Sequence, residues 1–412
     1  MERSSSSHPQ DLSDLLPRFD LRGMDLSLER MQSALQHLQS PAGSIPAVQV
    51  VGTNGKGSIA CLIHHGLMAA GLRSGLTTSP HLVSWCERIR VDNALIRIET
   101  LRGILESLQP VVEDCRLTPF EQLICAAMVH FDQQQPDWLV LEAGLGGRLD
   151  ATTAHPRRPL IAVASIGLDH REHLGPTLQA IAAEKAAAIG PGAHVVSGPQ
   201  EAAVQEVLEQ RVKAMAGTLE WVEPLDGTWT LGLPGLWQQG NAAVAAAALR
   251  WIGRDSGAIS AAAIREGLAA ARWPGRLQWM RWQGLRVRVD GAHNPPAAVQ
   301  LDRERCRWSA NGTPQTWILA IQAHKQAPEM LNQLLHPGDQ AWIVPVPAHA
   351  SWSAEQLKVQ CPQLADQLTS AVDAAEALRQ LQSEGWPATA PVIAGSLYLI
   401  GQLMETGLVQ AE

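Results

Sequence analysis

The residue types with the most chemistry in them are concentrated in Val51-Gly52-Thr53-Asn54-Gly55-Lys56-Gly57-Ser58, which follows an apolar stretch, Val48 to Val51, and leads into Ile59 to Ala70, a helical pattern. A strand, a glycine loop and a helix start make a phosphate cradle. Glycines let backbone N–H groups turn toward an anion, the helix N-terminus adds partial positive charge, Lys56 can reach terminal phosphates, and Ser58 can hold a magnesium ion. The nucleotide this chemistry points to is ATP. The general phosphate-loop pattern puts a glycine five positions before the Gly-Lys pair and Ser or Thr directly after the lysine, and this chain has Val50 and Gly57 there.

Ligands of a parallel sheet sit at the carboxyl ends of its strands, so polar residues directly after apolar runs are the next candidates. Thr77-Thr78-Ser79-Pro80-His81-Leu82 follows Leu76. Glu142 closes Leu139-Val140-Leu141 and opens Ala143 to Thr152, while Gly167-Leu168-Asp169-His170 follows Ala162 to Ile166. Asp290 with His293 is the fourth place. A carboxylate at a strand end beside a phosphate loop is the oxygen donor a nucleotide-bound magnesium needs, and His170 could converge on the same ion; a surface histidine bonded to a loop is the plainer alternative.

Placing these residues requires particular elements. From Val48 to about Ile189 short apolar runs alternate with helical stretches, such as Trp138 to Glu142, Leu160 to Ile166 and Thr177 to Ile189. That alternation predicts a parallel sheet covered by helices. Alanine-rich helices over Asn241 to Ile252 and Ile259 to Ala271 lead to Trp273-Pro274-Gly275-Arg276, where Pro-Gly breaks the helix, and a new strand is predicted at Leu285. Further strand runs at Trp317 to Ile321, Ala341 to Val344 and Val392 to Ala394 predict a second α/β unit. The expected architecture is an N-terminal P-loop-type domain with a mostly parallel sheet and flanking helices, residues 1–280, and a smaller C-terminal Rossmann-like α/β domain, residues 281–412. Residues 1–20, with the Ser4 to Ser7 run, read as a flexible tail.

At 412 residues with 46% apolar content, the chain suits two or three well-buried cores. A net charge of −8 without a Lys/Arg cluster argues against nucleic acid or an anionic membrane as partner. The six cysteines lack metal-ligand spacing and read as buried thiols of a reducing cytosol. No apolar run approaches a membrane span, and no signal peptide is visible, so a cytoplasmic, monomeric protein is expected. The fourteen Trp, against three Phe and one Tyr, read as core filler.

The altered loop Gly-Thr-Asn-Gly-Lys-Gly-Ser resembles that of the Mur ligase superfamily, and within it the folylpolyglutamate and dihydrofolate synthases. Thr78-Ser79-Pro80-His81-Leu82, Leu141-Glu142 to Thr152, Ile166 to His170, Ala183-Glu184-Lys185-Ala186, Trp273 to Arg276, Asp290 to Pro295 and Gly395-Ser396-Leu397-Tyr398-Leu399 resemble that family's successive signatures, in order. The resemblance covers about Leu26 to Gly401. It implies that Gly52, Thr53, Asn54, Gly55, Lys56, Gly57 and Ser58 hold ATP phosphates, that Ser58, Ser79, Glu142 and His170 serve magnesium, and that Lys185 is carbamylated. A carbamate turns a cation into an oxygen-rich anion able to organise a second magnesium where ATP and a carboxylate repel each other; a solvated lysine beside Glu184 is the alternative. Asn241, Arg276, Asp290 and His293 match adenosine- and ATP-contacting positions, with Trp237 in place of a frequent histidine. An ATP held by both domains implies closure over the reaction, with Lys56, Lys185 and His170 as the catalytic groups.

The implied reaction is ATP-driven amide formation, in which a pterin-linked carboxylate takes the γ-phosphate and the amine of L-glutamate then displaces phosphate. The acceptor is dihydropteroate, giving dihydrofolate, or a reduced folate, giving polyglutamates. Asp25-Leu26-Ser27-Leu28-Glu29-Arg30 resembles the bifunctional enzymes' dihydropteroate segment, with Ser27 in place of glycine. Thr118-Pro119-Phe120-Glu121 and Leu149-Asp150-Ala151 match the pocket's other walls, Phe120 serving as an aromatic face for the pterin or as a core residue. The chain departs from the family at His324-Lys325-Gln326, where Asp-Lys-Asp is usual, and near Ala348-His349-Ala350, where a Pro-Arg pair is usual. A Mur-type cell-wall ligase is the nearest rival, though the Ser-Pro-His-Leu and N-terminal segments do not fit it. A regulatory P-loop NTPase would have no use for Lys185, Asp290 or His293.

Overall fold

The computed structural model describes residues 12–16, 25–254, 257–308 and 312–412. The chain forms two compact units, the first made of residues 1–232 and 238–271 and the second of residues 233–237 and 272–412.

The first unit is built on β1 (Ala47–Val51), β2 (Ser74–Thr77), β3 (Ile89–Val91), β4 (Ala94–Leu95), β5 (Trp138–Glu142), β6 (Leu160–Val163), β7 (His194–Ser197) and β8 (Thr218–Trp221). They lie in the order β4-β3-β2-β5-β1-β6-β7-β8. From β2 to β8 every neighbouring pair is parallel, while β3 and β4 add an antiparallel edge. All five residues of β1 are buried, as expected of a central strand with helices on both faces. Val50 stands opposite Glu142 and Val51 opposite Val163, so the loops after β1, β5 and β6 leave the sheet along one edge.

The second unit has β9 (Gln278–Trp282), β10 (Leu285–Val289), β11 (Thr316–Leu319), β12 (Gln340–Ile343), β13 (Leu368–Ser370), β14 (Val392–Ala394) and β15 (Gln410–Ala411), in the order β13-β12-β11-β14-β10-β9-β15. The strands from β13 to β10 are parallel, and β9 and β15 extend the sheet antiparallel. Trp317, Leu319 and Ile343 from its strands pack with Leu301, Met330 and Leu331 from its helices.

Several sequence expectations are corrected. A domain boundary at 280 cuts through β9, which pairs with β10 as a hairpin and belongs wholly to the second unit. Its Gln-Trp-Met-Arg-Trp sequence interrupts its apolar residues with a Gln and an Arg shortly after the Pro-Gly break, so no apolar run marks it. Within the expected tail, Leu12 and Leu16 lie in the core of the first unit and Asp14 pairs with Arg102 at 2.8 Å, because the i, i+4 leucines form an apolar face; the Ser4 to Ser7 run lies outside the described residues. Cys306 is exposed, while the other five thiols are buried.

Seven of the fourteen tryptophans show two uses. Trp282, Trp317 and Trp342 are buried, but Trp229, Trp251, Trp279 and Trp308 are platforms for guanidinium groups. Arg288 stands 4.0 Å from both the Trp279 and the Trp308 rings, a cation–π arrangement that the core-filler expectation misses.

Candidate active site

The glycine loop is held open by close packing at two points. Gly52 has φ +146° and Gly55 φ +92°. A Cβ on Gly52 would come within 2.6 Å of Ala164 Cβ, and one on Gly55 within 2.6 Å of Asn241 Oδ1. The amides of Thr53 and Asn54 donate to Ser165 O at 2.8 and 3.3 Å, and Thr53 Oγ1 donates to Gly167 O at 3.0 Å. Those two amides thus anchor the loop to the segment after β6. The donors available to an anion are the first-turn amides of the helix Lys56–Ala69, which have no carbonyl within the helix to bind. Lys56 Nζ donates to Thr53 O at 3.1 Å.

Lys185, on the helix Leu178–Ala186 started by the Thr177 cap, is only 3% exposed and donates from Nζ to Gly52 O at 2.7 Å. The solvated-lysine alternative is therefore excluded. Burial, with the Lys56 cation adding to it, pushes its pKa down to about 7, against the attraction of Asp169 and Asp150. Near neutral pH a large share of this amine carries no proton and has a free lone pair. Gly147 makes room for the helix, since a Cβ there would meet Lys185 O at 2.7 Å.

Glu142, the last residue of β5, is 5% exposed and its Oε2 accepts the Ser79 backbone N–H at 3.0 Å. The loops after β2 and β5 are thereby joined. His170 takes φ +49° at the start of a single-turn helix, with Nε2 3.9 Å from Asp169 Oδ2 and Nδ1 3.8 Å from Glu172 Oε1. Among the described residues no group of three or more His, Cys, Asp or Glu side chains is arranged to hold a metal. The donor set of Ser58, Ser79 and Glu142 oxygens is hard and carries one carboxylate, which fits magnesium bound chiefly through phosphate oxygens and water.

Two residues that escaped the sequence reading, one buried and one exposed, flank the glycine loop. Gln238 is fully buried, donates from Nε2 to Ser58 Oγ at 3.3 Å, and accepts from Asn241 Nδ2 at 2.9 Å. Asn241, Gln238 and Ser58 form one hydrogen-bonded relay beside Gly55. Ser165, through its carbonyl, is the other.

The expected acceptor walls also meet. Thr118 and Glu121 form a capping box on the helix Pro119–Gln134. The half-buried Phe120 ring lies on Gly144, where a Cβ would approach its Cζ to 2.6 Å. Asp150 is 2% exposed, and its carboxylate accepts the N–H groups of Leu145 and Thr152 and the Thr152 hydroxyl. It braces the Gly144 to Thr152 loop, and burial raises its pKa in spite of those bonds. Ser27 caps the helix Leu28–His37 by accepting the Arg30 N–H. Leu26, Leu28, Pro119, Leu149 and Ala151 lie on these same segments, Ala151 being buried.

In the second unit, Asp290 follows β10 and is 4% exposed. Its Oδ2 accepts the Leu277 N–H at 2.8 Å and its Oδ1 the Ala292 N–H at 2.9 Å, so both oxygens secure turns. Burial pushes its pKa up, with the Arg276 cation opposing. Gly291 leaves space for Arg276, whose Nη1 would be 2.6 Å from a Cβ there, and His293 Nδ1 lies 2.7 Å from Gly291 O. The two segments that depart from the family are tied to each other. Gln322 bridges Ser351, Ala323 N–H donates to Ala350 O at 2.9 Å, and the Trp352 indole donates to Lys325 O at 3.0 Å. His349 stacks on the Tyr398 ring at 4.1 Å.

Comparison with known proteins places the chain in a family. Residues 277–406 match the family described as "Dihydrofolate synthetase, C-terminal domain". The chain is 33% identical over 344 residues to the dihydrofolate synthetase of Saccharomyces cerevisiae, covering 77% of this chain and 80% of that protein. It is 33% identical over 348 residues to the dihydrofolate synthase/folylpolyglutamate synthase of Escherichia coli, covering 81% of each. A solved structure of E. coli FolC in complex with DHPP and ADP superposes with a TM-score of 0.82 at 28% identity, covering 96% of this chain and 95% of that one. At one-third identity over about four-fifths of these relatives, this chain belongs to the dihydrofolate synthase/folylpolyglutamate synthase family of ATP-dependent ligases.

Proposed function

We propose that the chain joins the amino group of L-glutamate to the carboxylate of dihydropteroate, and also to reduced folates, at the expense of ATP. The observation that carries this reading is Lys185, a buried amine of depressed pKa bonded to the phosphate loop itself. A switch NTPase gains nothing from such a residue, whereas a ligase must bring an anionic acceptor to an anionic nucleotide. The Asp25 to Leu28 and Thr118 to Glu121 segments support inclusion of dihydropteroate.

In this reading the Lys56 to Ser58 amides and the Lys56 ammonium hold the terminal phosphates, while Asn241 and Gln238 fix the rim of the loop and Ser58. Ser58, Ser79, Glu142 and His170 would hold magnesium, and a carbamate on Lys185 would add further anionic oxygens. Magnesium supplies charge neutralisation to the transferring phosphoryl group. The acceptor carboxylate attacks the γ-phosphate to give an acyl phosphate, and the glutamate amine then expels phosphate through a tetrahedral intermediate. No protein nucleophile is needed. Within the second unit, Arg276, Asp290 and His293 are the positions that the family resemblance assigns to the nucleotide, Asp290 acting through the turns it braces.

The test is phosphate release by purified protein with MgATP. Release that requires both a pteroate or folate acceptor and L-glutamate supports the proposal; acceptor-independent turnover at a similar rate refutes it. Comparing dihydropteroate with tetrahydrofolate then measures the balance of the two activities.

A further inference from the structure

Arg30 joins two segments that are far apart in sequence. Its Nη1 donates to Asp25 Oδ2 at 2.6 Å and its Nη2 to Asp25 O at 2.5 Å. Nε donates to Glu121 Oε2 at 3.3 Å, and Nη2 also donates to Glu121 Oε1 at 3.2 Å. The Asp25 carboxylate is two-thirds exposed, whereas that of Glu121 is 6% exposed. Glu121 cannot turn away, because its Oε2 also accepts the Thr118 N–H at 2.7 Å in the capping box. Ser27 accepts the Arg30 backbone N–H from the opposite side.

A planar guanidinium is suited to this work, since its fixed fork can serve two acceptors at once where an ammonium acts as a point charge. We infer that Arg30 is a positioning residue for the acceptor, holding Asp25 to Leu28 in register with Thr118 to Phe120 so that the two walls face the same ligand. This rests on the proposed assignment of those segments to the pteroate-bearing substrate. One end of the clamp is fixed and buried, and the other is exposed and held by Arg30. The exposed segment is therefore the part whose order depends on it, and the expected signature is selective loss of acceptor binding.

The experiment is steady-state kinetics of the full-length protein with each substrate varied in turn. Arg30→Gln is expected to raise KM for the pteroate or folate acceptor about tenfold or more, with KM for ATP and L-glutamate changed by less than about twofold. Arg30→Lys should recover only part of the loss. Asp25→Asn, which alters the exposed arm and buries nothing new, should move the acceptor KM in the same direction. An unchanged acceptor KM in both Arg30→Gln and Asp25→Asn, or an equal rise for all three substrates, overturns the inference while wild-type ligation leaves the proposed function standing. A wild-type protein without acceptor-dependent turnover overturns the proposed function, and this inference with it.

Discussion

The Lys185 ammonium lies 2.7 Å from the carbonyl oxygen of Gly52, so the phosphate loop and the helix Leu178–Ala186 are joined by one buried hydrogen bond. Burial holds that amine at about 7, against 10.5 in an unfolded chain. Between those values the unfolded state binds more protons than the folded one. Stability linked to this residue therefore rises as pH increases from about 7 to 10.5, and below about 7 the full cost of burying a cation remains. Lys185→Met should be most stabilised relative to wild type below pH 7, with the Tm difference shrinking toward the alkaline end of that window; a pH-independent difference would contradict the linkage.

The same depressed pKa bears on carbamylation, which needs an unprotonated amine. Wild-type protein equilibrated with carbon-13 bicarbonate should show a carbamate resonance that grows as pH rises through about 7 and is absent from Lys185→Ala. That variant should lose ligation, and added short carboxylates should restore part of it.

Gly55→Ala combines strain at φ +92° with a contact 2.6 Å from Asn241 Oδ1. The backbone cost alone is about 1–2 kcal/mol, so ADP affinity measured by calorimetry should fall by about tenfold or more. Asn241→Ala relieves the contact and should return a part of it in the double variant.

Gln238→Leu leaves the buried Ser58 Oγ and the half-buried Asn241 Nδ2 without their shared partner. An unmet buried polar group costs about 1–3 kcal/mol, and denaturant unfolding should show a loss of that order. The KM for ATP should rise, with the acceptor KM little changed.

His349→Ala and Tyr398→Ala each remove half of the ring stack at the carboxyl edge of the second sheet. The family resemblance implies glutamate recognition at the Ala348 to Ala350 and His324 to Gln326 segments, which are bonded together here, so both variants should raise KM for L-glutamate more than KM for ATP. Unchanged glutamate kinetics in both would remove these segments from amino-acid recognition.

What the sequence disclosed was what is local. The Gly52 to Ser58 loop, the strand-end position of Glu142 and the helix carrying Lys185 depend on neighbours within one or two turns, and period and residue type reveal them. Arg30 with Glu121, and Gln238 with Ser58, are 91 and 180 residues apart, and nothing in either member's surroundings announces the other. Strand β9, antiparallel to both β10 and β15, was hidden because its Gln and Arg leave no apolar run in the sequence. Lys185 shows the same limit: its place in a helix was legible, while its burial is a property of the packed unit.

The excursion of Leu233 to Trp237 into the second unit means that this part of the protein is not a segment that one cut can release. Leu236 gives its amide to the Glu304 carboxylate at 2.7 Å, and Glu304 is 5% exposed. A fragment begun at 277, where the family match starts, would carry that acid without its donor. Swapping this unit among relatives therefore calls for three junctions, with five residues from the middle of the chain travelling along with it.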